Sequence, residues 1–183
     1  MQQARQRPSL KDIDVMRALI KRFTAQELEN LSTEEFNALR RLFPNFQIVL
    51  FVAKLANNVP TPFPQSVLLK KTDFLGFKWG LPIGLEKEND ESFQEAVARV
   101  GKELIGEPVR LHSIIGVGTQ VGPFGLVCLV IAQKPIRKSD VLQYFHLAKF
   151  PWGAVIPGHK VFINSYSCGQ MRRLASAEHK HTQ

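Results

Sequence analysis

Cysteine is scarce in this sequence: Cys128 and Cys168 are its two thiols, and neither stands in a Cys-x-x-Cys or Cys/His spacing. A zinc finger or ribbon and a disulfide scaffold are therefore excluded, and the chain reads as one from a reducing intracellular compartment, the cytoplasm or, alternatively, the mitochondrial matrix. Long apolar runs are lacking as well. The longest, Phe124 to Ala132, is far too short to cross a bilayer, so no membrane partner is expected. There is no GxxxxGK[ST] phosphate loop. Gly116, Gly118 and Gly122 instead lie between two strand-like runs with no helix directly after them, which reads as a hairpin connection. Acidic residues are in deficit, 16 against 24 Lys and Arg, for a net charge of +8. That balance points to a polyanionic partner, RNA or DNA or at least nucleotide phosphates, and says nothing about the fold. No acid precedes Asp12, while Arg5, Arg7 and Lys11 do, which is a faint echo of an organelle-targeting segment and equally a solvated basic tail.

What is present suffices for a core: 44% of 183 residues are apolar and 13 are Phe, enough for one well-buried domain with a helical appendage. Ile13, Met16, Leu19 and Ile20 recur at roughly helical spacing, predicting an amphipathic helix from about Leu10 to Phe23. Thr24-x-x-Glu27 and Ser32-x-x-Glu35 both have capping-box form, and Pro44 ends the helix that the second one opens. Residues 1–44 thus read as an N-terminal helical extension, 45–176 as the main domain and 177–183 as a polar tail. Strands are expected at Phe46 to Lys54, Ser66 to Lys70, Phe77 to Trp79, Arg110 to Val117 and Gly125 to Ala132, with Pro60, Pro62 and Pro64 marking a loop. Ser139 is a plausible N-cap for a short helix through Tyr144, and Val161 to Leu174 reads as a terminal helix.

The stretch from Trp79 to Gly106, WGLPIGLEKENDESFQEAVARVGKELIG, combines turn chemistry, helix periodicity and clustered carboxylates. Gly80, Pro82 and Gly84 end an extended segment. A helix is expected to begin near Asn89 or Asp90, whose short polar side chains suit an N-cap, with Glu91 in its first turn. Phe93, Ala96, Val97, Val100 and Leu104 form its apolar stripe, and Glu91, Glu95, Arg99 and Glu103 a charged ridge beside it. Gly106 stops the helix.

On Gly84, Glu91, Arg99, Glu103 and Gly106, and on the preceding WGLP and the run ESFQEAVAR, the stretch resembles the Nudix box, the loop and helix that in Nudix hydrolases bind divalent metal and the diphosphate of a nucleotide-linked substrate. The resemblance implies a Nudix fold, an α-β-α sandwich with a mixed sheet between helices, preceded here by the N-terminal helices. It implies Mg²⁺ or Mn²⁺ as cofactor if the chain is active, and none otherwise, with Glu103, Glu91 and Glu107 as metal-facing carboxylates. Gly84 and Arg99 would be ligand contacts, and Glu103 the catalytic carboxylate if the chain is active. The register, however, puts Val100 and Leu104 where the family has glutamates. Similar departures occur in Nudix-like RNA-binding proteins. The sequence therefore predicts a non-catalytic module that binds RNA or a nucleotide, within a ribonucleoprotein, with other proteins or a second copy of itself as further partners. The alternative is a hydrolase of nucleoside diphosphates linked to another moiety, with an altered site. Many family members close with a loop and helix that touch substrate, so Trp152 and His159 are candidate contacts, Trp152 by stacking and His159 as a replacement base. Lys134, Arg137 and Lys138 would suit a phosphate backbone.

Overall fold

The Ser32-x-x-Glu35 pattern closes in both directions. Ser32 Oγ accepts from the Glu35 amide and Glu35 accepts from the Ser32 amide, opening helix α2 (Thr33–Leu42) as a capping box. Helix α1 (Leu10–Thr24) precedes it. The computed structural model describes residues 9–24, 30–52, 66–87, 89–90, 92–118, 124–132, 134–137 and 139–165. The expected box at Thr24 and Glu27, the proline loop at 60–64, Cys168 and the end of the terminal helix fall wholly or partly outside them. The fold is mixed α/β, with sheets flanked by helices, and it divides into two compact units, Met1–Leu50 with Pro82–Ile136 and Phe51–Leu81 with Arg137–Gln183.

The first unit is built on a four-stranded sheet in the order β4-β1-β6-β5, with β1 Gln47–Val52, β4 Ile83–Leu85, β5 Val109–Gly118 and β6 Gly125–Ala132. β1 pairs antiparallel with β4, Ile48 opposite Gly84, and β5 with β6. β4 is a strand where the sequence reading had only turn residues. Its pairing with β1 settles that: Gly84 lies inside the strand opposite Ile48, while Gly80 and Pro82 lie before it. Phe36, Phe46 and Phe93 are fully buried and meet ring to ring at 5.8–6.3 Å, tying α2, the entry to β1 and helix α3 (Phe93–Ile105) into one cluster. Such contacts add about 0.5–1.5 kcal/mol each beyond their buried area. The helix that reads as an N-terminal extension is thus packed inside this unit. Between α1 and α2 the link is ionic: Arg41 Nε donates to Asp12 at 2.9 Å, Arg22 pairs with Glu35, and Lys11 with Glu34.

The second unit carries a three-stranded sheet in the order β3-β2-β7, with β2 Ser66–Lys71, β3 Trp79–Gly80 and β7 Leu142–His146. β7 corrects the helix expected from Ser139 through Tyr144. Ser139 Oγ does cap, but it accepts from Val141 and Leu142 across a tight turn, and Leu142 to His146 then pair antiparallel with β2 from Lys70 back to Ser66. Tertiary pairing overrode the local signal. A helix at residues 157–165 closes the described chain, four residues earlier than the spacing predicts. No helix among the described residues is long and apolar enough to cross a membrane.

Candidate functional site

Helix α3 opens on Ser92, not on Asn89 or Asp90. Ser92 Oγ accepts from the Glu95 amide at 3.2 Å, and Glu95 Oε2 accepts from the Ser92 amide at 3.1 Å. Asp90 is not a cap because it is otherwise engaged. Arg99 donates to it through Nε and Nη2 at 2.7 Å each, and the Lys87 amide donates to it at 2.9 Å. At the other end Gly106 adopts a φ of 79°, the left-handed value a helix stop favours.

The loop before α3 is held from two sides. Arg99 reaches back from the helix to the Leu85 carbonyl at 2.9 Å. Arg40 reaches across from α2, pairing with Glu86 at 2.6 Å and donating to the carbonyls of Asp90 and Lys87 at 3.0 and 3.1 Å. Glu86 and Asp90 are both buried, so each carboxylate depends on its arginine. Burial is the largest influence on the Asp90 pKa and works to raise it, but the Arg99 hydrogen bonds, the Lys87 amide and the charges of Arg99 and Arg40 together hold that pKa below the usual value. Arg99 is correspondingly raised, first by Asp90.

Glu103, the one carboxylate in register with the metal position, is also spoken for. Lys87 Nζ lies 2.7 Å from its Oε1 and Arg99 Nη1 3.1 Å from its Oε2, and these partners, Lys87 first, lower its pKa. Val100 is fully buried, and it packs so closely on Gly84 that a Cβ there would lie 2.7 and 2.8 Å from the two Val100 methyls. Gly84 is therefore the seat for Val100. Leu104 is half-buried rather than core, and Gly101 and Ile105 complete the buried face in its place, Gly101 allowing α3 to settle on Val109 of β5. Glu107 lies past the helix end, half-buried, and Glu91 is outside the described residues.

These donors do not fit Mg²⁺ or Mn²⁺. A hard cation needs an octahedral set of oxygens with charge to spare. Here methyl groups cover the glycine, and both oxygens of Glu103 already hold cations. Among the described residues no three His, Cys, Asp or Glu side chains are grouped to hold a metal ion.

The remaining candidates lie apart from the box in sequence, and the structure gives each a plain setting. His159 is fully buried in the second unit, where its Nδ1 accepts from the Leu81 amide at 3.0 Å. The proton is thus on Nε2, which has no hydrogen-bond partner among the described residues, and burial lowers the pKa to about 4. Gly80 makes room for the ring, since a Cβ there would be 3.0 Å from Nδ1. A sealed neutral imidazole is a packing residue and not a solvent-facing base. Trp152, in a 3₁₀ turn Trp152–Ala154, has its ring 4.6 Å from that of Phe150 and stays 39% exposed. Lys134 and Arg137 are exposed and fall in different units, and Lys138 is outside the described residues. Cys128 is buried, and burial pushes its thiol pKa far up, so it is no nucleophile. Sequence reasoning missed Arg40, whose partners lie 47 and 50 residues away.

No protein-family model matches the chain, and no curated protein matches it in sequence. Solved structures do. A Nudix hydrolase from Nitrosomonas europaea aligns with a TM-score of 0.50 at 16% identity, covering 68% of this chain and 72% of that one. An ADP-ribose pyrophosphatase from Streptococcus suis aligns at 0.49 and 16% over 71% and 92% of the two chains, and a UDP-X diphosphatase at 0.49 and 13% over 87% and 82%. The fold is Nudix-like.

Proposed function

We propose that this chain uses its Nudix-like fold as a binding module for RNA or a nucleotide, with a box that has become part of the scaffold. The observation that carries this reading is the seating of Val100 on Gly84, together with the double engagement of Glu103 by Lys87 and Arg99. A hydrolase needs that corner open and negatively charged so that a cation can bridge it to the substrate's phosphates. Here it is apolar and internally neutralised. The net charge of +8 supports a polyanionic ligand, and assembly into a ribonucleoprotein would follow from RNA as that ligand.

A second reading is favoured by one finding: a solved structure that shares this fold is named as a Nudix hydrolase. It makes the chain a Mg²⁺- or Mn²⁺-dependent hydrolase of a nucleoside diphosphate linked to another group, with Glu103 released from Lys87 and Arg99 by substrate. The two readings separate in one assay, release of nucleoside monophosphate from a panel of sugar-nucleotide and dinucleoside diphosphates with either metal. We expect no turnover by the wild type. Turnover that Glu103→Gln abolishes would establish the hydrolase instead.

A further inference from the structure

The second unit holds an exposed apolar and aromatic set that no step above uses. Phe74, Leu75 and Gly76 form a 3₁₀ turn closed by the Phe77 amide donating to the Phe74 carbonyl at 3.0 Å. Phe74 is 49% and Leu75 80% exposed, and Leu75 sits at φ 50°, ψ 34°. The left-handed region is costly for a branched apolar residue, and strain of this kind collects where a chain is shaped for contact. The segment after the turn runs parallel to the one after Trp152: Lys78 donates to the Ala154 carbonyl, Ile156 donates to the Trp79 carbonyl, and Trp79 bridges to Val155. The turn and Trp152 therefore lie at the same end of that paired segment.

Four lysines flank these residues along the chain and across the strand pair. Lys71 is the cross-strand partner of Trp79, Lys78 follows the turn, Lys149 precedes the Phe150–Trp152 ring contact, and Lys160 Nζ lies 5.7 Å from the centroid of the Phe77 ring. None of the four has a carboxylate partner among the described residues, although Asp73 stands at the base of the turn.

We propose that the Phe74–Gly76 turn and Trp152 form a stacking platform for single-stranded RNA, with Lys71, Lys78 and Lys149 on its phosphates. The proposal deepens the binding-module reading and rests on it. Exposed ring faces among unpaired cations are what an unstacked strand engages, because each base offers a π-face and each linkage a charge. A duplex hides its bases and would gain nothing from the rings. An anionic lipid surface would also attract the lysines, but inserting the turn would carry Asp73 towards the hydrocarbon and hold Trp152 in an orientation set by Phe150 rather than by the interface.

The test is fluorescence anisotropy of a labelled short oligouridine with the full chain across a salt series, with a duplex of the same length and phosphatidylserine vesicles as comparators. We expect single-strand binding that Trp152→Ala or Phe74→Ala weakens by roughly tenfold, and that Trp152→Phe retains. The triple variant Lys71→Gln, Lys78→Gln, Lys149→Gln touches no core residue, and it should reduce the slope of log affinity against log salt by about 2. Binding by the wild type that neither set alters, or that Lys102→Gln with Arg110→Gln removes instead, would overturn the platform while leaving the RNA-binding reading intact. Equal loss of duplex binding in Trp152→Ala, or vesicle binding that Phe74→Ala abolishes in a protein that ignores RNA, would overturn it too. A wild type that binds no RNA at all would bring down both.

Discussion

The two units spend their charge differently. In the first, Lys11, Arg17, Arg22, Arg40, Arg41, Lys87 and Arg99 all pair with carboxylates, several of them buried, so the basic residues nearest the Nudix-like box work as internal fasteners. In the second, Lys70, Lys71, Lys78, Arg137, Lys149 and Lys160 have no carboxylate partner among the described residues, Lys71 stands opposite Trp79 and Lys160 lies over the Phe77 ring. A net charge of +8 is thus a poor guide to where an anion binds until the paired cations are removed from consideration. Once they are, the box looks like scaffold and the second unit like surface.

That contrast can be broken at the box most severely by Val100→Glu. Burying a carboxylate against Gly84 leaves it without a partner, and we expect a loss of several kcal/mol in urea denaturation, or failure to fold. Leu104→Glu, at a half-buried position, should cost far less. If added Mg²⁺ or Mn²⁺ restored a variant carrying both Val100→Glu and Leu104→Glu to wild-type stability, the corner would be a metal platform after all. Next in size is Arg99→Ala, which strands the buried Asp90 and should cost about 3 kcal/mol by the same measurement. The triple lysine variant of the second unit should change stability by no more than about 0.5 kcal/mol. A large loss there would show that those lysines are fasteners too.

Acid sharpens the comparison. His159 is held at about 4 in the folded chain, below its ordinary 6.5. A depressed histidine binds fewer protons folded than unfolded, so its contribution is complete above the unfolded pKa and is lost as pH falls from about 6.5 towards 4, by up to about 3 kcal/mol. The lowered carboxylates of the first unit, Asp12, Glu35, Asp90 and Glu103, act in the same direction at lower pH, their contribution present above about 4 and lost below it. Stability measured by chemical denaturation should therefore decline already between pH 6.5 and 5, and His159→Gln should flatten that decline. An unchanged slope in the variant would place the titrating group elsewhere.

Much of this was legible before the structure. The apolar period of α3, its stop at Gly106 and the strand runs of β1, β2, β5 and β6 follow from local pattern, which is short-range by nature. Ser92-x-x-Glu95 carries the same capping signal that marked α2, but the sequence reading passed over it for Asn89 or Asp90, and Asp90 is occupied by Arg99. Ser139 gave a true capping signal with the wrong sequel, because β2 offered the following residues a partner. The seating of Val100 on Gly84 and the reach of Arg40 into the loop join residues far apart in the chain, and no window of sequence contains both ends of either contact.

The central claim is that Glu103 and Gly84 no longer make a metal corner, and calorimetric titration of the full chain with Mn²⁺ tests it most directly. We predict only weak, unsaturated heats, unchanged by Glu103→Gln. A stoichiometric site that saturates at micromolar metal and disappears in Glu103→Gln would contradict the account.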